Sequence, residues 1–290
     1  MSPEPLVFAE DLRVDVDGVP ACDGITFRTG TDRVLILGAP RALFEALVGL
    51  RPVVRGALRI RGTAASAAAR DGLVAGAPLD PPLPPKWTAL EYVTWSARLA
   101  GHTRSDARTL AQSAIASVQL GALATLPLAR MVPHARRGVV VAAAMATDAQ
   151  VMVVEDPLAN LAEETARTWA RILVQALEAR PWVVLASRVS LTSPLAMNAE
   201  EALVVSASRL DAQGPPAAIA AAKHRFVARI HGPLDALGAK LAARGARMDV
   251  QGAQVVLDLG EAVTTADLLA MADEADVTVV EMLPVARALS

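Results

Sequence analysis

The sequence predicts an α/β protein built around a parallel sheet, followed by a small α+β domain that closes a sheet of its own. Three features carry this expectation. Residues 33–38 form an apolar strand ending in Gly38, and a helical stretch, 42–50, follows at once; strand, glycine turn and helix open a βαβ unit, where a helix N-terminus could face an anion. Residues 151–154 and 182–186 are apolar at every position, as strands buried on both faces of a parallel sheet are. Beyond residue 222 the order becomes strand, helix, strand, strand, helix, strand, a split βαβ pattern of the ferredoxin-like kind.

Along the chain, residues 6–8 and 12–16 alternate apolar and polar side chains and read as strands, with 25–27 a further short one. Gly56 and Gly62 bound an alternating stretch that reads as a solvent-edged strand. Five prolines punctuate residues 78–85; proline lacks the amide hydrogen and fixes φ, so this segment is neither helix nor central strand. Thr88 with Glu91 three residues on reads as a capping box, and the helix it opens should run towards Gly101. Helices are expected over 106–118 and 163–180 and a strand over 202–205, and Gln213-Gly214-Pro215-Pro216 reads as a linker. The expected domains are 1–215, with a helical subdomain at about 77–145, and 222–290. In the second, strands 226–230, 247–250, 255–259 and 277–283 surround helices 234–244 and 264–272.

Composition excludes several classes. The 290 residues are 53% hydrophobic and 20% charged, with a mean hydropathy of +0.37. The longest uncharged apolar run, 139–146, is bounded by Arg137 and Asp148, well short of the roughly 20 residues of a spanning helix. A net charge of −2 offers no basic stripe for nucleic acid. Cys22 is the only cysteine, which excludes an intramolecular disulfide and a cysteine zinc framework. Residues 1–12 lack the basic and apolar regions of a signal peptide, so a cytoplasmic location is expected.

Taken in order, these signposts resemble the ATP-binding cassette subunit of an ABC transporter, of the ABC-2 exporter type with a small C-terminal domain. Cys22-Asp23-Gly24-Ile25-Thr26-Phe27 resembles the strand before the phosphate loop, and Gly56 to Gly62 the "GEVRIDG" strand. Asp80-Pro81 through Thr88-Ala89-Leu90-Glu91-Tyr92 to Gly101 resembles the start of the helical subdomain, and Asp148 to Pro157 the strand carrying the Walker B acids. The resemblance implies a P-loop NTPase-like cassette fold and an integral membrane permease as partner. It also implies a second cassette subunit, and a place at the cytoplasmic face of the membrane.

The positions that carry the family's chemistry are changed. A phosphate loop reads G-x-x-x-x-G-K-S/T, with amides around the phosphates, lysine on the β/γ oxygens and a hydroxyl on magnesium. Here the strand gives Gly38-Ala39-Pro40-Arg41-Ala42, with no second glycine, lysine or hydroxyl, and Pro40 removes one amide. The adenine-stacking aromatic falls at Val16, the γ-phosphate glutamine at Gly76, and the LSGGQ signature at Met131-Val132-Pro133-His134-Ala135. The D-loop aspartate falls at Ala162 and the switch histidine at Arg188. Only the acids remain, as Glu155-Asp156 where the family has Asp then Glu. Charge-assisted hydrogen bonds are each worth about 1.5–3 kcal/mol, so losing three removes roughly 4–9 kcal/mol and turns a micromolar site millimolar or worse.

The sequence therefore predicts a non-catalytic cassette subunit with no cofactor and no metal site, a scaffold or regulator docked on a permease beside an intact ATPase subunit. In the resembling family the region of Trp87, Tyr92 and Trp95 meets the membrane subunit, so the resemblance makes these three the expected permease contacts. Aromatics, only 3% of the chain, are favoured interface anchors, and ordinary packing at a subdomain boundary is the other reading of the cluster. Two other readings stand beside it. In one, Glu155 and Asp156 still serve a weak Mg-ATP-dependent ATPase. In the other, the chain is a soluble regulator that has left transport, with 224–290 binding a ligand or protein.

Overall fold

The computed structural model describes residues 4–39, 41–190, 192–221, 224–251, 254–260 and 262–284. Val7–Val16 (β1) and Val19–Arg28 (β2) form an antiparallel hairpin. The sequence reads β1 as two pieces because its apolar positions change parity: Val7 and Ala9 are buried, then Leu12 and Val14. A bulge resolves this. Asp11 takes a φ of +44° and the register slips between Ala9 and Leu12, so both halves face the core. Arg33–Leu37 (β3) leads through Gly38 into Arg41–Leu47 (α1), shorter than the expected 42–50. The helix stops because Gly49 adopts the left-handed conformation, at φ +72°, and donates back to Ala46 O.

Next come Arg55–Ile60 (β4), Thr63–Ala64 (β5), Ala65–Arg70 (α2) and Val74–Ala77 (β6). The helical layer is Ala89–Leu99 (α3), Arg104–Ser117 (α4) and Pro133–Met145 (α5). The capping box before α3 is present, with the Glu91 amide donating to Thr88 Oγ1 and the Thr88 amide to Glu91 Oε2. The apolar run 139–146 is the C-terminal half of α5 with its C-cap Ala146, and every residue of it is buried. The first unit continues with Val151–Glu155 (β7), Glu163–Leu177 (α6), Trp182–Ala186 (β8), Pro194–Asn198 (α7), Glu201–Val205 (β9) and Leu210–Gly214 (β10), and Pro216–Ala221 (α8) spans its boundary with the second.

The first unit's main sheet runs β10-β9-β3-β8-β7-β6, parallel except for β10, and its second sheet runs β2-β1-β4-β5. The unit boundary falls at the end of the stretch 213–216, after Pro216, but its first half differs from a linker: Gln213 and Gly214 pair with Leu203 and Ala202 as the end of β10. The reason is Glu201, a buried carboxylate that needs donors; it takes one from the Gln213 side chain and one from the Gly30 amide.

The chain divides into two compact units between Pro216 and Ala217. The second unit holds Arg225–His231 (β11), Leu234–Ala243 (α9), Arg247–Gln251 (β12), Gln254–Asp258 (β13), Thr265–Glu274 (α10) and Thr278–Pro284 (β14). Its sheet runs β12-β13-β11-β14 and is antiparallel throughout, the order of a ferredoxin-like fold. Leu237 and Leu241 of α9, with Leu268 and Met271 of α10, belong to the same core as Ala228, Ile230, Val255 and Leu257. The α/β architecture around a parallel sheet, with an α+β second unit, agrees with the expectation from sequence.

Candidate functional site

In a parallel sheet, ligand chemistry gathers at the carboxyl ends of the strands, where the strand order reverses. Here that edge joins the exits of β3, β6, β7 and β8. Glu155 ends β7 with its side chain 9% exposed. Its Oε2 accepts the Leu79 amide at 2.8 Å, and its Oε1 lies 3.7 Å from Arg41 Nε. Arg41 Nε also donates to Glu45 Oε1 at 3.1 Å. Burial pushes the Glu155 carboxyl above its ordinary value, opposed by the Leu79 amide and Arg41 and reinforced by Glu45 and Asp156.

A carboxyl raised on folding makes the native state hold its proton more tightly than the unfolded chain does. Its favourable contribution is present below the unfolded value, near 4.5, and is lost as pH rises through the folded value. Glu155→Gln is therefore expected to be at least as stable as the parent at neutral pH, with the advantage closing towards pH 4. Thermal melts of both proteins across that range check the sign.

Asp156 leaves the strand with φ +38° and donates its amide to Leu185 O at 2.7 Å. Its Oδ2 accepts from Ser187 Oγ at 2.7 Å and from the Ser187 amide at 3.3 Å, while Oδ1 is buried without a partner. The acids thus serve different loops: Glu155 ties the exit of β7 to that of β6, and Asp156 ties it to β8.

The loop after β3 is held by its neighbours. The Gly38 amide donates to Ala186 O at 3.0 Å, and a Cβ at Gly38 (φ +73°) would stand 2.7 Å from Val205 O. Ala39 is half-buried, and Ala42 is a buried residue of α1. Pro40 lies outside the described residues, as does Lys223 in the second unit. Gly76, read as the glutamine position, sits inside β6 opposite Val153, and a Cβ there would come within 2.6 Å of Val48 Cγ1. The residue that reaches the site from this strand's exit is Leu79, by its amide.

Of the signature stretch, Val132 is the N-cap of α5 and gives no side-chain cap, and Pro133 is the first helical residue. His134 is half-buried and Ala135 buried. Ala162 is likewise an N-cap without a capping side chain, Arg188 is exposed, and Val16 is half-buried at the end of β1.

Sequence reasoning missed Arg137. It lies on α5, 6% exposed, with Nε and Nη2 on the Asp80 carboxylate at 3.3 and 3.1 Å. Its Nη1 donates to Ala159 O at 2.6 Å and Pro157 O at 3.4 Å. One guanidinium thus joins the helical layer to the loops after β6 and β7. The available signal was an arginine two residues before the apolar run 139–146, since a buried cation demands acceptors.

The three aromatics meet but divide between two clefts. Trp87 and Trp95 pack edge to face with centroids 5.7 Å apart, and Tyr92 lies 6.2 Å from Trp95. Tyr92 with Ser96 and Leu99 lines a cleft of about 570 Å³ against β6 and α5. Trp87 and Trp95, 36% and 46% exposed, line another of about 590 Å³ with Arg98, Arg104 and Arg108. Among the described residues no cluster of His, Cys, Asp and Glu could hold a metal, and no helix is long and apolar enough to cross a membrane.

No protein-family model and no curated protein matches the sequence. Solved structures do match the fold. CbiO1 of Clostridium perfringens, part of the ABC transporter complex CbiONQ, superposes with a TM-score of 0.64 at 17% identity, over 75% of this chain and 91% of that one. An ATP-binding subunit of an ABC transporter gives 0.59 at 16% identity over 74% and 91%. The ADP conformation of MJ1267, an ATP-binding cassette of an ABC transporter, gives 0.61 at 14% identity over 73% and 91%. At these identities the likeness is one of architecture, and the chain carries the ATP-binding cassette fold.

Proposed function

We propose that this chain is a non-catalytic cassette subunit that serves as a scaffold or regulator on a membrane permease, at the cytoplasmic face and beside an intact cassette subunit. The observation that carries this reading is the ion pair of Arg41 with Glu155. The carboxylate at the Walker B position faces a cation that belongs to the protein itself. The residues present do not fit Mg-ATP. The described part of the loop has no lysine or hydroxyl, Gly38 gives its amide to β8, and α1 is only seven residues long. Magnesium at Glu155 would have to displace a guanidinium and find oxygen ligands that Ala39 and Ala42 cannot give. The permease contacts in this reading are Trp87, Tyr92 and Trp95.

One observation favours the weakly active alternative: the buried, unpartnered Oδ1 of Asp156. Calorimetric titration with Mg-ATP to millimolar concentration decides between the two. The expected result is no saturable heat for the parent, and none for Arg41→Ala, because removing the cation does not restore the amide cradle. Micromolar binding abolished by Asp156→Asn would overturn the scaffold reading in favour of an ATPase.

A further inference from the structure

We infer that the cleft between Trp87, Trp95 and the arginines at the start of α4 takes an acidic segment of the membrane partner, anchored by an apolar side chain. The inference rests on the docking role proposed above and names the chemistry of what docks. The cleft's apolar wall is the edge-to-face tryptophan pair with Leu90, and its other wall is Arg98, Arg104 and Arg108. Trp169 and Trp182 are both buried, so these two are the chain's exposed tryptophans. Exposed aromatic pairs beside arginine are the composition of interface anchors.

The charge arrangement is unfavourable within the fold and favourable towards an anion. Arg104 is the first residue of α4, at the positive end of the helix dipole, and Arg108 follows one turn later on the same face. Among the described residues no carboxylate pairs with Arg98, Arg104 or Arg108; Arg98 donates only to the carbonyl of His102. The one acid in α4's first turn, Asp106, is held by Thr103. Glu91 borders the cleft but does not neutralise it. Its carboxylate accepts the Thr88 amide and hydroxyl, and those bonds, with no arginine contributing, hold it below the usual carboxylate range. External carboxylates would relieve the repulsion between the arginines while an apolar side chain covers the tryptophans. A concave cleft with an anionic rim residue suits a polypeptide segment better than a flat anionic bilayer.

The test is site-specific photo-crosslinking in cells that produce the full chain, followed by mass spectrometry of the membrane fraction. A photoreactive residue replaces Thr94 inside this cleft or, separately, Ser96 in the cleft of Tyr92. The expected Thr94 product is one membrane-protein segment in which Asp and Glu outnumber Lys and Arg around an apolar residue. Arg104→Glu with Arg108→Glu should lower its yield roughly tenfold, as expected when two partly exposed pairs become repulsive. Arg104→Lys with Arg108→Lys should keep most of it. A basic or neutral segment, a phospholipid adduct, or a yield indifferent to charge reversal overturns the inference. Crosslinks from Ser96 alone would leave the docking role standing and remove this cleft from it. No membrane-protein product from either position would remove both.

Discussion

Replacing Arg137 with methionine is expected to lower the melting temperature of the first unit by roughly 6–12 °C. Methionine keeps an apolar stem in the packed helix, so the change isolates the guanidinium. What is lost is a cation whose donors reach Asp80 and the carbonyls of Pro157 and Ala159 from a nearly buried position. Leaving buried acceptors without donors costs about 1–3 kcal/mol each, so about 3 kcal/mol in total is a moderate expectation. At about 2–4 °C per kcal/mol for a unit of this size, the shift follows. Asp80→Asn separates the contributions. Asp80 is 54% exposed, and a half-exposed ion pair contributes under about 1 kcal/mol. A large loss for Arg137→Met with a small one for Asp80→Asn assigns the stability to the carbonyl contacts. Equal losses would assign it to the ion pair, and a shift under about 2 °C for both would mean the guanidinium holds nothing together.

That arginine also marks where the sequence stops being readable. Elements set by local chemistry could be read directly. The capping box of Thr88 and Glu91 starts α3, and the apolar strands 151–154 and 182–186 are buried at every position. The order of the tail's six elements could likewise be read along the chain. Features that depend on distant partners could not be read. β1 looks like two strands because the bulge at Asp11 exists only when β2 and β4 pair with it. Gln213-Gly214 looks like a linker because its polar side chain is there to satisfy Glu201 on the neighbouring strand. At the site, the missing lysine and hydroxyl were visible as letters. The cation that pairs with Glu155 was not, since Arg41 and Glu155 lie far apart in the chain and meet only where β3 and β7 end at the same edge.

Gly56→Ala is expected to be the most disruptive methyl addition in the first unit, costing at least about 4 kcal/mol, or roughly 8–16 °C. Gly56 opens β4 opposite the bulge of β1, where the register slips between Glu10 and Arg13. It takes a φ of +78°, and a Cβ there would overlap the carbonyl oxygens of both Glu10 and Asp11. Those atoms cannot retreat, because β1 pairs with β2 on its other side. Gly62→Ala supplies the contrast on the same hairpin. Arg61 and Gly62 both have positive φ, the conformation of a two-residue type I′ turn, so alanine bears only the left-handed strain of about 1 kcal/mol. The atom its methyl would meet belongs to the side chain of Glu4, an exposed residue that can swing away. The expected shift is therefore about 2–4 °C. If the two alanines cost the same, the penalty is that of left-handed backbone alone and the bulge is free to yield. A several-fold difference means that the bulge is held rigidly between β2 and β4, as its pairing on both sides requires.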